Sequence, residues 1–407
     1  MTRSLTDEQL QEAVDLLARH SGVAEAARHS KWPCKQAAFS HRLKSARDAG
    51  FVPSADSIPI EPDELDVVKQ ELRDARLLLT QIKSEEITRA NVRSWVGLVS
   101  EKDTAPPKWI VKPSKRSALG VPTLFASDWH WGEVVNPDEI HGVNKFDLEI
   151  AKARCRSLIN TAVGLLTSEF KDPDYPGIVF ALGGDMITGD IHEELSKTND
   201  APIMPTVVDL FENLIWCIST LADRFGRVYV PCVTGNHGRN TKKVQAKERN
   251  ATNFDWLVYC LLEKHFSGDD RVQFNVAEGS DCLFKIYDHE YLLSHGDQFR
   301  GGDGMIGPLG PITRGRHKKA SRNAAIDMPF QTMIVGHFHT LMQLPNLIVN
   351  GSLKGYDEYA FQGNFSYEVP AQALWITHPE RGITHQMPIY LEDKKKGASK
   401  SWVSWTK

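Results

Sequence analysis

Apolar residues recur at helical spacing through the first fifty positions. Leu10, Val14 and Leu17 share one face of a run opened by Thr6, with Glu8 and Gln9 in its first turn, and Ser21-Gly22 ends it. Residues 23–28 fit a second short helix, and 35–49 a third with Phe39, Leu43 and Ala46 on one side. Helix, turn and helix in that order predict a small helix-turn-helix-like domain over residues 1–50. Further on, Leu65, Val68, Leu72, Ala75, Leu79 and Ile82 repeat at alternating spacings of three and four, an a/d seam. The seam falls short of the three to four heptads that identify a coiled coil. It therefore reads either as a dimerising helix, giving a homodimer through residues 62–90, or as a helix packed on its own domain. Residues 51–118 form this helical segment and a linker, whose 100–119 stretch carries Pro106, Pro107 and Pro113 among Lys and Ser.

Beyond residue 119 the texture changes to short β-rich runs. Strands are predicted at 121–127, 178–183, 228–234, 272–276, 282–287, 290–294, 332–336, 347–350 and 372–377, and helices at 146–170, 203–225 and 251–266. The mixture predicts a layered α/β domain over 119–392, followed by a basic tail at 393–407. With 41% apolar and 25% charged residues the chain is neither disordered nor fibrous. Its 48 bases and 52 acids leave a net charge of −4, so only local charge can argue for a nucleic-acid partner. The absence of any apolar run near 18 residues predicts no membrane span, and charges throughout the first 25 residues predict no secretory signal. Six cysteines without a CxxC pair predict reduced thiols and a cytoplasmic location.

Five of the predicted strands run into residues that bind metals. They lead to Asp128-Trp129-His130, Gly183-Gly184-Asp185, Gly235-Asn236-His237, His295-Gly296-Asp297 and Gly336-His337-Phe338-His339. Strand ends in α/β domains converge on one rim, so these groups can meet without being neighbours in sequence. Imidazoles and carboxylates without thiolates favour Mn, Fe or Zn over a structural zinc or a calcium cage. His337 and His339, two apart on an extended segment, face opposite ways and can serve two ions, with Asp185 as a bridging carboxylate. Two metals about 3.5–4 Å apart can activate water and stabilise both oxygens of an in-line phosphoryl displacement.

The ordered set D-x-H, G-G-D, G-N-H, H-G-D and G-H-x-H, from Asp128 to His339, resembles the calcineurin-like metallophosphoesterase superfamily. The resemblance implies an αββα sandwich holding two divalent ions, Mn2+ in the first instance, with Fe or Zn as alternatives. It implies that Asp128, His130, Asp185 and His339 hold one ion, and that Asp185, Asn236, His295 and His337 hold the other. It further implies a metal-bridging hydroxide as nucleophile and His237 as the catalytic histidine. Asp297 is expected to orient a ligand rather than to bind metal. The sequence departs from the protein Ser/Thr phosphatase branch. Asp185 is followed by Met-Ile-Thr-Gly-Asp rather than a pattern ending in Asp-Arg-Gly, and His237 by Gly-Arg rather than Glu. The phage and bacterial members, including the recombination-repair exonuclease branch, are more similar. Whether Asp190 or His192 assists His237 is left open by the motifs.

Basic segments follow two of the motifs. The first holds Arg239, Lys242, Lys243, Lys247 and Arg249; the second holds Arg314, Arg316, His317, Lys318, Lys319 and Arg322 with no acid among them. The N-terminal module adds Arg28, Lys31, Lys35, Arg42, Lys44 and Arg47, again with no acid between. Read as basic loops beside a phosphoryl-transfer centre, these clusters suit a polyphosphate backbone. The expected activity is hydrolysis of nucleic-acid phosphodiesters, as a DNA nuclease on single-stranded or duplex DNA in a bacterial cell or phage-infected host. Two alternatives stand beside it: a phosphatase or phosphodiesterase for nucleotides or phosphoproteins, and a DNA-binding scaffold with a structural metal site.

Overall fold

The computed structural model describes residues 5–20, 22–32, 34–54, 106–111, 120–170, 173–300 and 307–392. The seam at 65–82, most of the linker and the basic tail lie outside the described residues. The chain divides into two units, Met1–Glu86 and Ile87–Lys407. Among the described residues, no helix is long and apolar enough to cross a membrane.

Among its described residues the first unit holds three helices, Asp7–Arg19, Val23–Arg28 and Gln36–Asp48. Thr6 starts the first through a capping box: its hydroxyl accepts from the Gln9 amide, and the Gln9 side chain accepts from the Thr6 amide. Phe39, Leu43 and Ala46 turn inward to meet Leu10, Ala13, Val14 and Ala26. The basic face is smaller than the sequence predicts. The Arg42 guanidinium donates to the Trp32 carbonyl at 3.0 Å and the Ser30 hydroxyl at 3.4 Å, so it holds the turn before the third helix. Lys35 and Lys44 are exposed.

The second unit is a four-layer sandwich. Its strands are β1 (Val121–Ala126), β2 (Ile178–Leu182), β3 (Val228–Cys232), β4 (Val272–Val276), β5 (Asp281–Ile286), β6 (His289–Ser294), β7 (Thr332–Val335), β8 (Met342–Leu344), β9 (Leu347–Val349), β10 (Ala371–His378) and β11 (Gly382–Tyr390). One sheet runs β11-β10-β1-β2-β3-β4, with β1 to β4 parallel; the other runs β5-β6-β7-β9-β8, with β6, β7 and β9 parallel. Side chains alternate across a strand, which assigns each face. Phe125, Val179, Ala181 and Tyr229 meet Phe284, Tyr291, Ile334 and Ile348 between the sheets. On the outer face of the first sheet, Leu124, Phe180 and Val230 pack under the helices Leu148–Ser168 and Ile203–Phe225. Leu292, Met333 and Val349 pack under Ile312 of the helix Leu309–Ala324 on the far side.

Two edge strands and one long helix are among the elements that escaped the sequence pattern. The strand β11 lies at a sheet edge with alternate residues exposed, and Pro388 is tolerated there because an edge strand need not donate outward. The short β8 is one edge of the other sheet. The helix Leu309–Ala324 contains Gly310, Pro311 and Gly315, all poor helix formers by propensity. Pro311 sits in the first turn, where no amide partner is lost. At Gly315 the Phe299 ring occupies the space of a β-carbon. The second basic segment is thus a helix, not a loop.

Candidate metal centre

The C-terminal ends of β1, β2, β3, β6 and β7 carry the five motifs to one rim. The chain turns sharply there: Asp128, His130, Asp185, His337 and His339 all adopt left-handed backbone conformations, with φ between 49° and 71°. Each such residue costs on the order of 1 kcal/mol or more, and such strain concentrates at functional sites. Gly235 and Gly336 allow the loops to close, since a β-carbon would overlap a carboxylate oxygen of Asp185 or of Asp128 respectively.

Donor atoms gather into overlapping groups able to hold a cation: Asp128, His130 and His339; His130, Asp185 and His237; and Asp185, His295 and His337. In the first, His130 Nε2 lies 3.0 Å from His339 Nε2, which lies 3.5 Å from Asp128 Oδ1. Two ring nitrogens that close must face one proton or one cation. In the third, His295 Nε2 is 2.9 Å from Asp185 Oδ2 and 3.2 Å from Asn236 Oδ1. All seven expected ligands and His237 therefore meet, and the all-N,O donor set fits two divalent ions. Backbone amides lock the carboxylates: Asp185 Oδ1 accepts from the His237 amide at 2.7 Å, and Asp128 Oδ1 from the His337 amide at 2.8 Å.

The electrostatics follow from burial and proximity. Burial alone would raise the Asp185 carboxyl, but His295 and His237 hold it well below the usual carboxylate range. Burial would lower His295, yet Asp185 outweighs it and pushes the imidazole up to about 10. His337 is pushed down to about 4 and His237 to about 3, chiefly by burial. A histidine binds a cation only when neutral, so a metal must displace the His295 proton. Apparent Mn2+ affinity is therefore expected to rise with pH below about 10, by up to about tenfold per unit. Calorimetric titration between about pH 6 and 8 checks this; a flat profile would remove His295 from the ligand set.

The motif reading missed Asp255, among others. Asp255 is fully buried at the start of the helix Phe254–His265, where an isolated acid reads as a capping group. Its carboxylate accepts from the amides of Asp185 (3.0 Å), Ile187 (3.3 Å) and Gly235 (2.9 Å), tying the G-G-D loop to the G-N-H loop. Burial, with the charge of Asp185, pushes its carboxyl up to about 7. The ring centroid of His192 lies 6.4 Å from that of His237; His192 and Asp190 are both exposed.

Several predicted nucleic-acid contacts are occupied by the protein itself. Lys319 is buried and ion-pairs Asp281, so that enclosed charge cannot meet a phosphate; the exposed Arg322 pairs with the same carboxylate. Arg316 donates to the carbonyls of Asn346 and Gln331, fastening its helix to the sheet. Arg249 grips Asp297 with two bonds of 2.8 and 2.9 Å. Arg239 donates to the carbonyls of Asn236 and Thr241, beside the centre. Lys242, Lys243, Arg314 and Lys318 are exposed.

No protein-family model and no curated protein matches the chain. Solved structures with a similar course of the chain include a single mutant of Vps29 from Entamoeba histolytica, at 12% identity over 66% of this chain and 99% of that one, with a TM-score of 0.28. A dimetal phosphatase from Danio rerio shows 10% identity over 67% and 99%, with a TM-score of 0.32. A predicted phosphoesterase from Streptococcus pneumoniae shows 10% over 66% and 97%, with a TM-score of 0.24. The sheet order and the five converging strand ends define the fold without them. It is an α/β protein, an αββα sandwich, accompanied by a small N-terminal unit that is helical over its described residues.

Proposed function

We propose that the chain is a two-metal phosphodiesterase that cleaves DNA. The observation that supports hydrolysis is the meeting of Asp128, His130 and His339 with Asp185, His295 and His337 as two donor groups on one rim. Divalent ions held there supply Lewis-acid activation of water and neutralise charge at phosphorus. His237, neutral and beside both groups, offers a ring N–H to a phosphate oxygen. Support for a polyanionic substrate comes from the exposed Lys242 and Lys243 just after His237, and from Arg314 and Lys318. Asp281, the register partner of Ser294, anchors Lys319 and so holds that helix at the strand end bearing His295. The exposed Lys35 and Lys44 of the N-terminal unit suit tethering to DNA, which raises the local concentration of backbone at the metals.

A second reading, a phosphodiesterase or phosphatase for small or protein-borne phosphoesters, draws support from the internal use of Arg249, Arg316, Lys319 and Arg322. End-labelled single-stranded, duplex and circular DNA, incubated with Mn2+ beside bis-aryl and mono-aryl phosphates, separates the two. The triple variant Lys242→Ala, Lys243→Ala, Lys318→Ala is expected to cut DNA more slowly while turning over bis-aryl phosphate at the parental rate. Its salt dependence should flatten by about 0.9 per lost phosphate contact on duplex DNA. Monoester turnover with intact DNA would sink the nuclease reading.

A further inference from the structure

The two donor groups are backed by different chemistry. In the second, His295 Nδ1 donates to a neutral backbone carbonyl, that of Gly183, at 2.9 Å. In the first, His130 Nδ1 lies 3.0 Å from the Thr188 hydroxyl and 3.1 Å from Glu133 Oε2. The Thr188 hydroxyl donates to that same Glu133 oxygen at 2.8 Å. Glu133 Oε1 accepts from Lys354 Nζ at 2.8 Å, and Lys354 also donates to Asp357. Glu133, Thr188, Lys354 and Asp357 are all buried, none more than 6% exposed. Lys354 cancels one of the two carboxylate charges, so one net negative charge stands behind His130.

A proton held on Nδ1 by this acceptor pair leaves the Nε2 lone pair facing Asp128 and His339. A carboxylate behind an imidazole both fixes its tautomer and raises its basicity as a ligand. A backbone carbonyl fixes the tautomer without the charge. We infer that Glu133 and Thr188 are positioning residues for the cation position formed by Asp128, His130 and His339, and that they set its affinity separately from that of the Asp185, His295 and His337 position. This rests on the two-metal reading above. Neither residue touches a reacting group; both act through His130.

Mn2+ titration of the full-length chain, followed by calorimetry and electron paramagnetic resonance, tests the inference. The parent is expected to bind two Mn2+ with the spectrum of an exchange-coupled pair. Glu133→Gln is expected to bind one Mn2+ as tightly as the parent and the other about 10–100-fold more weakly, with the spectrum of an isolated ion at low loading. Glu133→Gln leaves Lys354 with Asp357 as its single carboxylate partner, so metal-free melting of each variant is measured alongside. Thr188→Val keeps the side-chain shape and the whole Glu133–Lys354–Asp357 network, and is expected to weaken the same ion alone. Parental affinity for both ions in the two variants, or equal weakening of both ions, would overturn the inference. A parent that binds fewer than two Mn2+ would overturn the two-metal reading and this inference with it.

Discussion

Asp185→Asn is expected to lose both metal ions and at least about a thousandfold in phosphodiester turnover, because several kcal/mol of charge stabilisation go with the ions. Asp185 belongs to two of the three donor groups, with His130 and His237 on one side and His295 and His337 on the other. Its Oδ2 lies 2.9 Å from His295, while Oδ1 is engaged by the His237 amide. Asparagine suits the test: it matches the shape and is among the residues that adopt the left-handed backbone of this position, where φ is 49°. Only the charge and one acceptor oxygen are removed. Metal content of the purified variant, measured by mass spectrometry beside its melting curve, decides the matter. A folded variant that retains two ions would show that Asp185 does not bridge them.

His237→Ala should separate metal binding from turnover. The variant is expected to keep two ions and lose about 10²–10³-fold in turnover, the cost of removing one hydrogen-bond donor aimed at developing charge. Burial pushes this imidazole down to about 3, so it meets the substrate as a neutral ring. The ring stands edge-on to His130, with centroids 4.6 Å apart, and its buried Nδ1 has no hydrogen-bond partner. Single-turnover rates on bis-aryl phosphate at saturating Mn2+ provide the measurement. Undiminished turnover would favour the scaffold reading, in which the metals are structural; loss of an ion along with activity would make His237 a ligand.

The side chains able to bind metal were legible because their signal is local. A buried parallel strand is a short apolar run, and each of five such runs stops at glycine, aspartate or histidine. Asp255 could not be found that way, since the amides it clasps include one 70 residues earlier. Nor could the partnership of Glu133 with Lys354 across 221 positions.

Charge shows the difference most clearly. Lys318 and Lys319 are adjacent and identical in type, yet the first is exposed and the second is enclosed with Asp281. A helix turns about 100° between neighbours, so one faces solvent while the next faces the sheet. Arg42, Arg249 and Arg316 are likewise consumed by carbonyls or carboxylates that only folding brings within reach. The buried strands and the candidate donor set follow from short-range pattern and side-chain chemistry, and so stand in the amino-acid order itself. Which cations remain for a substrate, and which carboxylates steady the metal centre, depends on desolvation and on distances of about 3 Å between remote residues. Those were decided when the two sheets closed on each other.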